Sequence, residues 1–271
     1  MSPPDSPRRC WGSAYQLDDL LTTMPGNREF AVRDFALLTI AGHLAAHFGD
    51  QLVFKGGFVL RHAHGILRFS SDVDSTRRDP ATARLDSEAV AAAIRDASVG
   101  DIVRFDPQLP PTTDSATSLD FDDVRVDGLM LPPGAKVQVE ISYREAVVDA
   151  PEPASIGAPF YEDFEVLVMT MAEMAAEKLR TLAQRSKVTD LADLAVMLRR
   201  EEVGDEDIAR LALDKFALVR QGVANRENRI EQRLRSMGAD YDAIVPSLFP
   251  EAPSYHEAVE IVWPRIRRLI P

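Results

Sequence analysis

A chain of 271 residues with 45% hydrophobic side chains is long enough for one large or two modest domains with a filled core. Its single cysteine, Cys10, excludes an intramolecular disulfide and fits a reducing cytosol, so a cytoplasmic protein is expected. A net charge of −12 argues against a general nucleic-acid binder. No apolar run is long enough to span a membrane, and the opening MSPPDSPRRCWG lacks the apolar segment of a secretory signal.

Residues 1–16 are polar and proline-bearing, and the flexible arm they begin is expected to reach residue 27. Over 28–48 the apolar positions Phe30, Phe35, Leu38, Ala41, Leu44, Ala45 and Phe48 follow the helical period, and Gly49-Asp50 ends the run. The next stretch, LVFKGGFVLRHAHGILRFSSDVD over 52–74, carries the densest signal. It reads as a short strand (Leu52, Val53, Phe54), a tight turn (Lys55, Gly56, Gly57), a short helix over 58–64, and a second strand bearing Asp72-Val73-Asp74. A helix over 86–97 and a strand over 102–105 follow. Residues 107–117 and 127–136 are rich in Pro, Thr, Asp and Gly and read as loops around a strand over 119–126. Residues 136–142 alternate strictly, with Val137, Val139 and Ile141 toward the core and Gln138, Glu140 and Ser142 away from it. Residues 149–159, DAPEPASIGAP, read as a linker. The remainder is helical in pattern, over 169–184, 191–200, 205–221, 226–237 and 255–269.

Two glycines after a strand permit a sharp turn and a close backbone approach to a ligand, and the N–H groups of the helix they open favour a phosphate. Alternate residues of a strand share a face, so Asp72 and Asp74 point the same way. Two carboxylates on one face repel unless a cation lies between them, and Mg²⁺ is the usual solution where phosphates are present. Glu140, in mid-strand, is either a third carboxylate of this group or part of a solvated sheet face. His43, His47, His62, His64 and His256 show no metal-ligand spacing. His62 and His64, two apart on a helix, do not share a face and read as structural or surface residues.

Lys55-Gly56-Gly57 followed by Arg68-Phe69-Ser70-Ser71-Asp72-Val73-Asp74 resembles the signature of the AbiEii/AbiGii-type nucleotidyltransferases, which include the MenT toxins. MAAEKLRTLAQRSKVTDLADL over 174–194 resembles the second half of the same group: a lysine-bearing helix, a basic turn, then Arg-Asp-x-x-Asp, with Thr189 here in place of the arginine. The resemblance covers roughly residues 30–200. It implies an α+β fold, with a polymerase-beta-like, mixed-sheet nucleotidyltransferase domain over 28–160 and a helical domain over 161–271. It implies transfer of a nucleoside monophosphate from an NTP, with Mg²⁺ held by Asp72 and Asp74 and Glu140 as a further metal-site candidate. Lys55, Gly56, Gly57, Arg68, Ser70 and Lys178 would bind the nucleotide, and Glu140 or Asp190 would help a hydroxyl acceptor lose its proton. Among relatives the acceptor is typically tRNA, and the enzyme is the toxin of a pair whose partner is a cognate antitoxin.

The residues leave some roles open. Lys178 falls in the apolar stripe Met171, Met174, Lys178, Leu182, where a lysine either snorkels to solvent or meets an anion in a cleft. Asp190 is also an ordinary first-turn helix residue, and Asp193 could face either way. Residues 1–177 hold 15 basic and 28 acidic side chains, whereas 178–235 hold 13 basic and 10 acidic ones. The second segment therefore offers phosphate contacts, with Arg180, Arg185, Lys187, Arg220, Arg226, Arg229 and Arg233 as candidates, or is an ordinary helix surface. A nucleotidyltransferase acting on a small molecule or a protein hydroxyl, and a non-catalytic binding module of the same fold, remain as other readings.

Overall fold

The structure, a computed structural model, describes residues 28–79, 84–97, 103–105, 116–121, 125–126, 129–130, 137–143, 146–158, 161–200, 203–218 and 226–269. The expected N-terminal arm and most of the two expected loops lie outside the described residues.

Helix α1 (Arg28–Phe48) lays Phe35, Leu38, Ala41 and Leu44 into the core, and Gly49, at a φ of +50°, turns the chain out of it. Strand β1 (Leu52–Lys55), helix α2 (Gly56–His62) and strand β2 (Asp72–Arg77) follow as expected. Leu52, Val53 and Phe54 are all buried, as in a strand covered on both faces. After helix α3 (Ser87–Asp96) come β3 (Val103–Arg104), β4 (Ala116–Phe121), β5 (Arg125–Val126), β6 (Leu129–Met130) and β7 (Val137–Ser142). The strand expected over 119–126 is thus two strands, in different sheets: β4 joins the main sheet, while β5 pairs with β3 and β6 in a small one.

Strands β8 (Glu152–Ala158) and β9 (Tyr161–Val168) form a hairpin where the sequence suggested a linker and then helix. Strand β8 is the edge of the sheet, where Pro153 removes no needed ladder donor, so proline content misled the reading. Strand β9 pairs in parallel with β1, Val53 opposite Leu167 and Phe54 opposite Val168. The sheet therefore continues to Val168, past the boundary expected at residue 160. Its order is β4-β7-β2-β1-β9-β8, mixed in direction, with β2 antiparallel to β1 and parallel to β7. The fold is α+β.

The helical part consists of α4 (Met171–Leu182), α5 (Val188–Met197), α6 (Asp205–Leu218), α7 (Arg226–Ser236), α8 (Gly238–Leu248) and α9 (Tyr255–Leu269). Helix α8 was not anticipated; Gly238 at its start and Pro246 inside it disguise the period. Buried side chains of the sheet and of the helices form one continuous hydrophobic cluster. Thr170 caps α4 by accepting from the Glu173 backbone N–H at 3.2 Å.

Lys215 of α6 ties α6 and α4 to the segment between β7 and β8. It is 1% exposed, and its ammonium lies 2.5 Å from Glu173 Oε1 and 3.1 Å from Glu177 Oε1, and donates to the Ala146 carbonyl at 2.8 Å. Glu173 in turn accepts from the backbone N–H groups of Val148 and Asp149, just before β8. Removing one member of a buried ion cluster leaves the others uncompensated, at about 3–5 kcal/mol. Lys215→Met is therefore expected to lose about that much stability in denaturant unfolding; a loss below about 1 kcal/mol would show that the cluster contributes no more than an exposed pair.

Candidate active site

The register of β2 on β7 builds one wall of the site. Asp72 stands opposite Gln138 and Asp74 opposite Glu140, while Val73, between the two acids, is fully buried. Asp72, Asp74 and Glu140 all line a cavity of about 700 Å³ between the sheet and helix α4. Burial, then Asp72, then Glu140 push the Asp74 carboxyl up to about 7, against the opposing pull of Lys55 and Lys178. Ser70 does not line the cavity. Its hydroxyl donates to Asp72 Oδ1 at 2.5 Å and fixes that carboxylate, a role in place of the nucleotide contact expected of it.

The turn after β1 is tight for a reason internal to the protein. Gly56 sits at a φ of +74°, and a Cβ there would fall 2.5 Å from Asp74 Oδ2. A Cβ on Gly57 would fall 2.0 Å from Arg68 Nη1. The first glycine lets Asp74 approach and lines the cavity; the second is buried against a guanidinium and does not. Lys55 also lines the cavity, its ammonium 3.0 Å from Glu177 Oε2.

Behind the cavity runs a chain of buried ion pairs. Arg68 Nε donates to Asp193 Oδ1 at 2.6 Å, and Lys178 lies 2.9 Å from Asp193 Oδ2. Lys178 Nζ donates to Asp190 Oδ1 at 2.8 Å, and Arg185 Nε to Asp190 Oδ2 at 2.8 Å. Both aspartates are fully buried. Burial disfavours their charge, but Lys178 and Arg185 hold Asp190, and Arg68 and Lys178 hold Asp193, below the usual carboxylate range. The same carboxylates raise the pKa values of Lys178, Arg68 and Arg185 despite the opposing effect of burial.

These pairs bear on three expected roles. Arg68 is 7% exposed, held by Asp193 and the Phe69 carbonyl, and does not line the cavity where a nucleotide would lie. Asp190, buried with both oxygens engaged and held ionised, is not placed to take a proton from an acceptor. Lys178 reaches the cavity as the cleft reading requires, but between two carboxylates rather than with its charge uncompensated. Asp193, left undecided by the sequence, is the link between Arg68 and Lys178. Glu177 was missed, although its i+4 spacing from Glu173 places both on one face of α4.

Among the described residues, several basic candidates of the second half are engaged within the protein. Arg226 packs on the Phe216 ring at 4.0 Å, Arg233 donates to the Ala183 and Gln184 carbonyls at the end of α4, and Arg180 donates to Gln184 Oε1. Arg229 lies with Arg233 on α7, while Arg220 lies outside the described residues. Arg180, Arg185 and Lys187 line the cavity. His62 pairs with Asp34 at 3.0 Å, as does Arg61, which makes it structural.

A family model described as the nucleotidyl transferase AbiEii toxin of type IV toxin–antitoxin systems matches residues 41–268. The chain belongs to the AbiEii family. In structure it is similar to MenT4, a nucleotidyltransferase toxin from Mycobacterium tuberculosis H37Rv, at 22% identity and a TM-score of 0.73, over 94% of this chain and 89% of that one. It is also similar to JHP933 from Helicobacter pylori, at 17% identity and a TM-score of 0.58, over 90% of this chain and 92% of that one. At such identities the likeness speaks for the fold. No curated protein matches the chain in sequence. As an AbiEii protein, the chain is a nucleotidyltransferase toxin of the type IV class, for which an antitoxin is the expected counterpart.

Since the Gly57 Cα is packed against Arg68, Gly57→Ala forces the guanidinium away from Asp193. The variant is expected to lose about 1–3 kcal/mol in denaturant unfolding; an unchanged unfolding free energy would show that Arg68 yields without cost.

Proposed function

We propose that this AbiEii protein moves a nucleoside monophosphate from an NTP to a hydroxyl on the 3′ end of tRNA, releasing pyrophosphate, in a reaction that requires Mg²⁺. The observation that carries the transfer is the Asp72/Asp74 pair: two carboxylates on one face of one strand, opening on the cavity, with Asp74 pushed up to about 7 by burial and by its acidic neighbours. An anionic site under such repulsion is stabilised by a cation.

The donor set fits magnesium. It is all oxygen, and Mg²⁺ is commonly held by one or two carboxylates completed by substrate phosphates. Asp72 and Asp74 would hold the ion, with Glu140 opposite Asp74 as a further candidate, and the phosphates would complete it. Bound there, Mg²⁺ supplies the positive charge that offsets the phosphate oxygens. The chain's own groups do the rest. Ser70 orients Asp72, Gly56 lets the Asp74 carboxylate stand against the turn, and Lys55, paired with Glu177, contributes positive charge on the same wall. With Asp190 engaged, Glu140, exposed and opposite Asp74, is the carboxylate placed to accept a proton from an acceptor hydroxyl.

The acceptor rests on the resemblance of the two sequence motifs to a group whose relatives act on tRNA. Arg185 and Lys187 at the cavity offer backbone contacts to a single-stranded end, which enters a cleft without opening a duplex. NTPs and tRNA are shared in the cytoplasm, which is the compartment this reading assigns. No helix among the described residues is long and apolar enough to cross a membrane.

Asp74→Asn removes one ligand and one repelling charge. It is expected to abolish transfer, to raise the melting temperature in the absence of divalent cations, and to cancel the rise that Mg²⁺ produces in the wild type. A magnesium-dependent melting shift that survives the substitution would contradict the metal assignment. For the acceptor, the protein is incubated with each of the four labelled NTPs and purified tRNA, with free proteins and hydroxylated metabolites in parallel. Label in tRNA is expected; label only in a protein or metabolite would overturn the tRNA reading.

A further inference from the structure

The ion pairs behind the cavity assign its cations unequally. Arg68, Lys178 and Arg185 share two anions, Asp190 and Asp193, so the group carries one surplus positive charge. Arg68 and Lys178 flank the fully buried Asp193, with side chains 8% and 15% exposed. Arg185 is 53% exposed and sits at the end of the chain. Arg185 is therefore the member of the group most open to the cavity and to solvent.

Its geometry is fixed as well as its charge. Nε and Nη2 bond Asp190 at 2.8 and 3.3 Å, a fork that pins the guanidinium along one edge and leaves Nη1 for another acceptor. Arg185 lines the cavity and lies within electrostatic reach of Asp74 and Glu140 on the opposite wall. The other cations on the wall are placed differently. Lys55 is paired with Glu177, Lys178 lies between two aspartates, Arg180 is buried and donates to Gln184, and Lys187 is exposed at the N-cap of α5.

We propose that Arg185 is the guanidinium that binds a substrate phosphate across the cavity from Asp72 and Asp74, and that Asp190 is its positioning residue. This rests on the nucleotidyl-transfer reading above. A planar guanidinium with one edge anchored and the other turned to the cavity suits phosphate oxygens, and little side-chain entropy remains to be lost on contact. Lys178, held on both sides, keeps Asp190 ionised and in place, so its part in phosphate binding is largely exerted through Arg185. The phosphate is either in the triphosphate of the NTP or in the acceptor backbone, and the two are separable by measurement.

The test is calorimetric binding of Mg²⁺-pyrophosphate and of a non-hydrolysable NTP to the full chain, with separate KM values for NTP and tRNA, in wild type, Arg185→Gln, Arg185→Lys, Asp190→Asn and the double variant. Arg185→Gln should keep the fold, because its side chain is half exposed and Asp190 retains Lys178. It should weaken binding about ten- to hundredfold, as expected for a lost charge-assisted contact. Arg185→Lys should recover only part of that loss, because an ammonium cannot hold Asp190 and phosphate with the same fork. Asp190→Asn should weaken binding in the wild-type background and add little to Arg185→Gln. A loss confined to pyrophosphate and NTP binding identifies the triphosphate; a loss confined to the KM for tRNA identifies the acceptor backbone. If wild type binds and Arg185→Gln matches it in every measurement, the assignment of Arg185 is overturned. If wild type binds neither pyrophosphate nor NTP, it is the nucleotidyl-transfer reading that fails instead.

Discussion

The site depends on an alternating line of charges, Arg68–Asp193–Lys178–Asp190–Arg185, buried except at Arg185, that ties the segment between α2 and β2 to helices α4 and α5. Its members come from positions 125 residues apart in the chain, so it can form only when sheet and helices are docked. Each aspartate lies between two cations, so neither is left as an uncompensated buried charge. The same line decides which groups are available for chemistry. Its interior members are paired with one another, while its exposed end, Arg185, lines the cavity beside Lys178.

Across the cavity the electrostatics are reversed. Asp72, Asp74 and Glu140 are held on adjacent strands by a parallel register, and the positive wall does not fully offset their repulsion. The cavity is thus divided into an acidic face built by strands and a basic face built by helices. A substrate bearing both phosphates and a divalent cation satisfies both faces at once, which neither an apolar ligand nor a bare anion can do. Gly56 belongs to this division: it is the absence of a side chain there that lets Asp74 stand against the turn.

The parts of this arrangement legible in the sequence are the local ones. The strand, glycine turn, short helix and acidic strand over 52–74 follow from a change of period and from residues that act on their immediate neighbours. Helix α1 was equally plain, because its apolar spacing is uninterrupted, as was helix α9, where Ala258, Val262 and Ile266 keep the period around Pro264. What sequence could not show is partnership at a distance. Arg68 and Ser70 sit in the motif and look like ligand contacts, yet one is spent on Asp193 and the other on Asp72. The arginines of the second half look like a nucleic-acid surface until Arg226 is seen on Phe216 and Arg233 at a helix terminus. The prolines of 149–159 signalled a linker because nothing local says that a strand will be an edge.

In the proposed reaction the bond broken is the one between the α- and β-phosphates of an NTP. It is tested most directly by supplying the acceptor with NTP labelled either on the α- or on the γ-phosphorus. In this reaction the α label should enter the acceptor while the γ label is released in pyrophosphate. Label from the γ position on the acceptor would mark a phosphoryl transferase and contradict it, as would release of γ label as inorganic phosphate with none of the α label transferred.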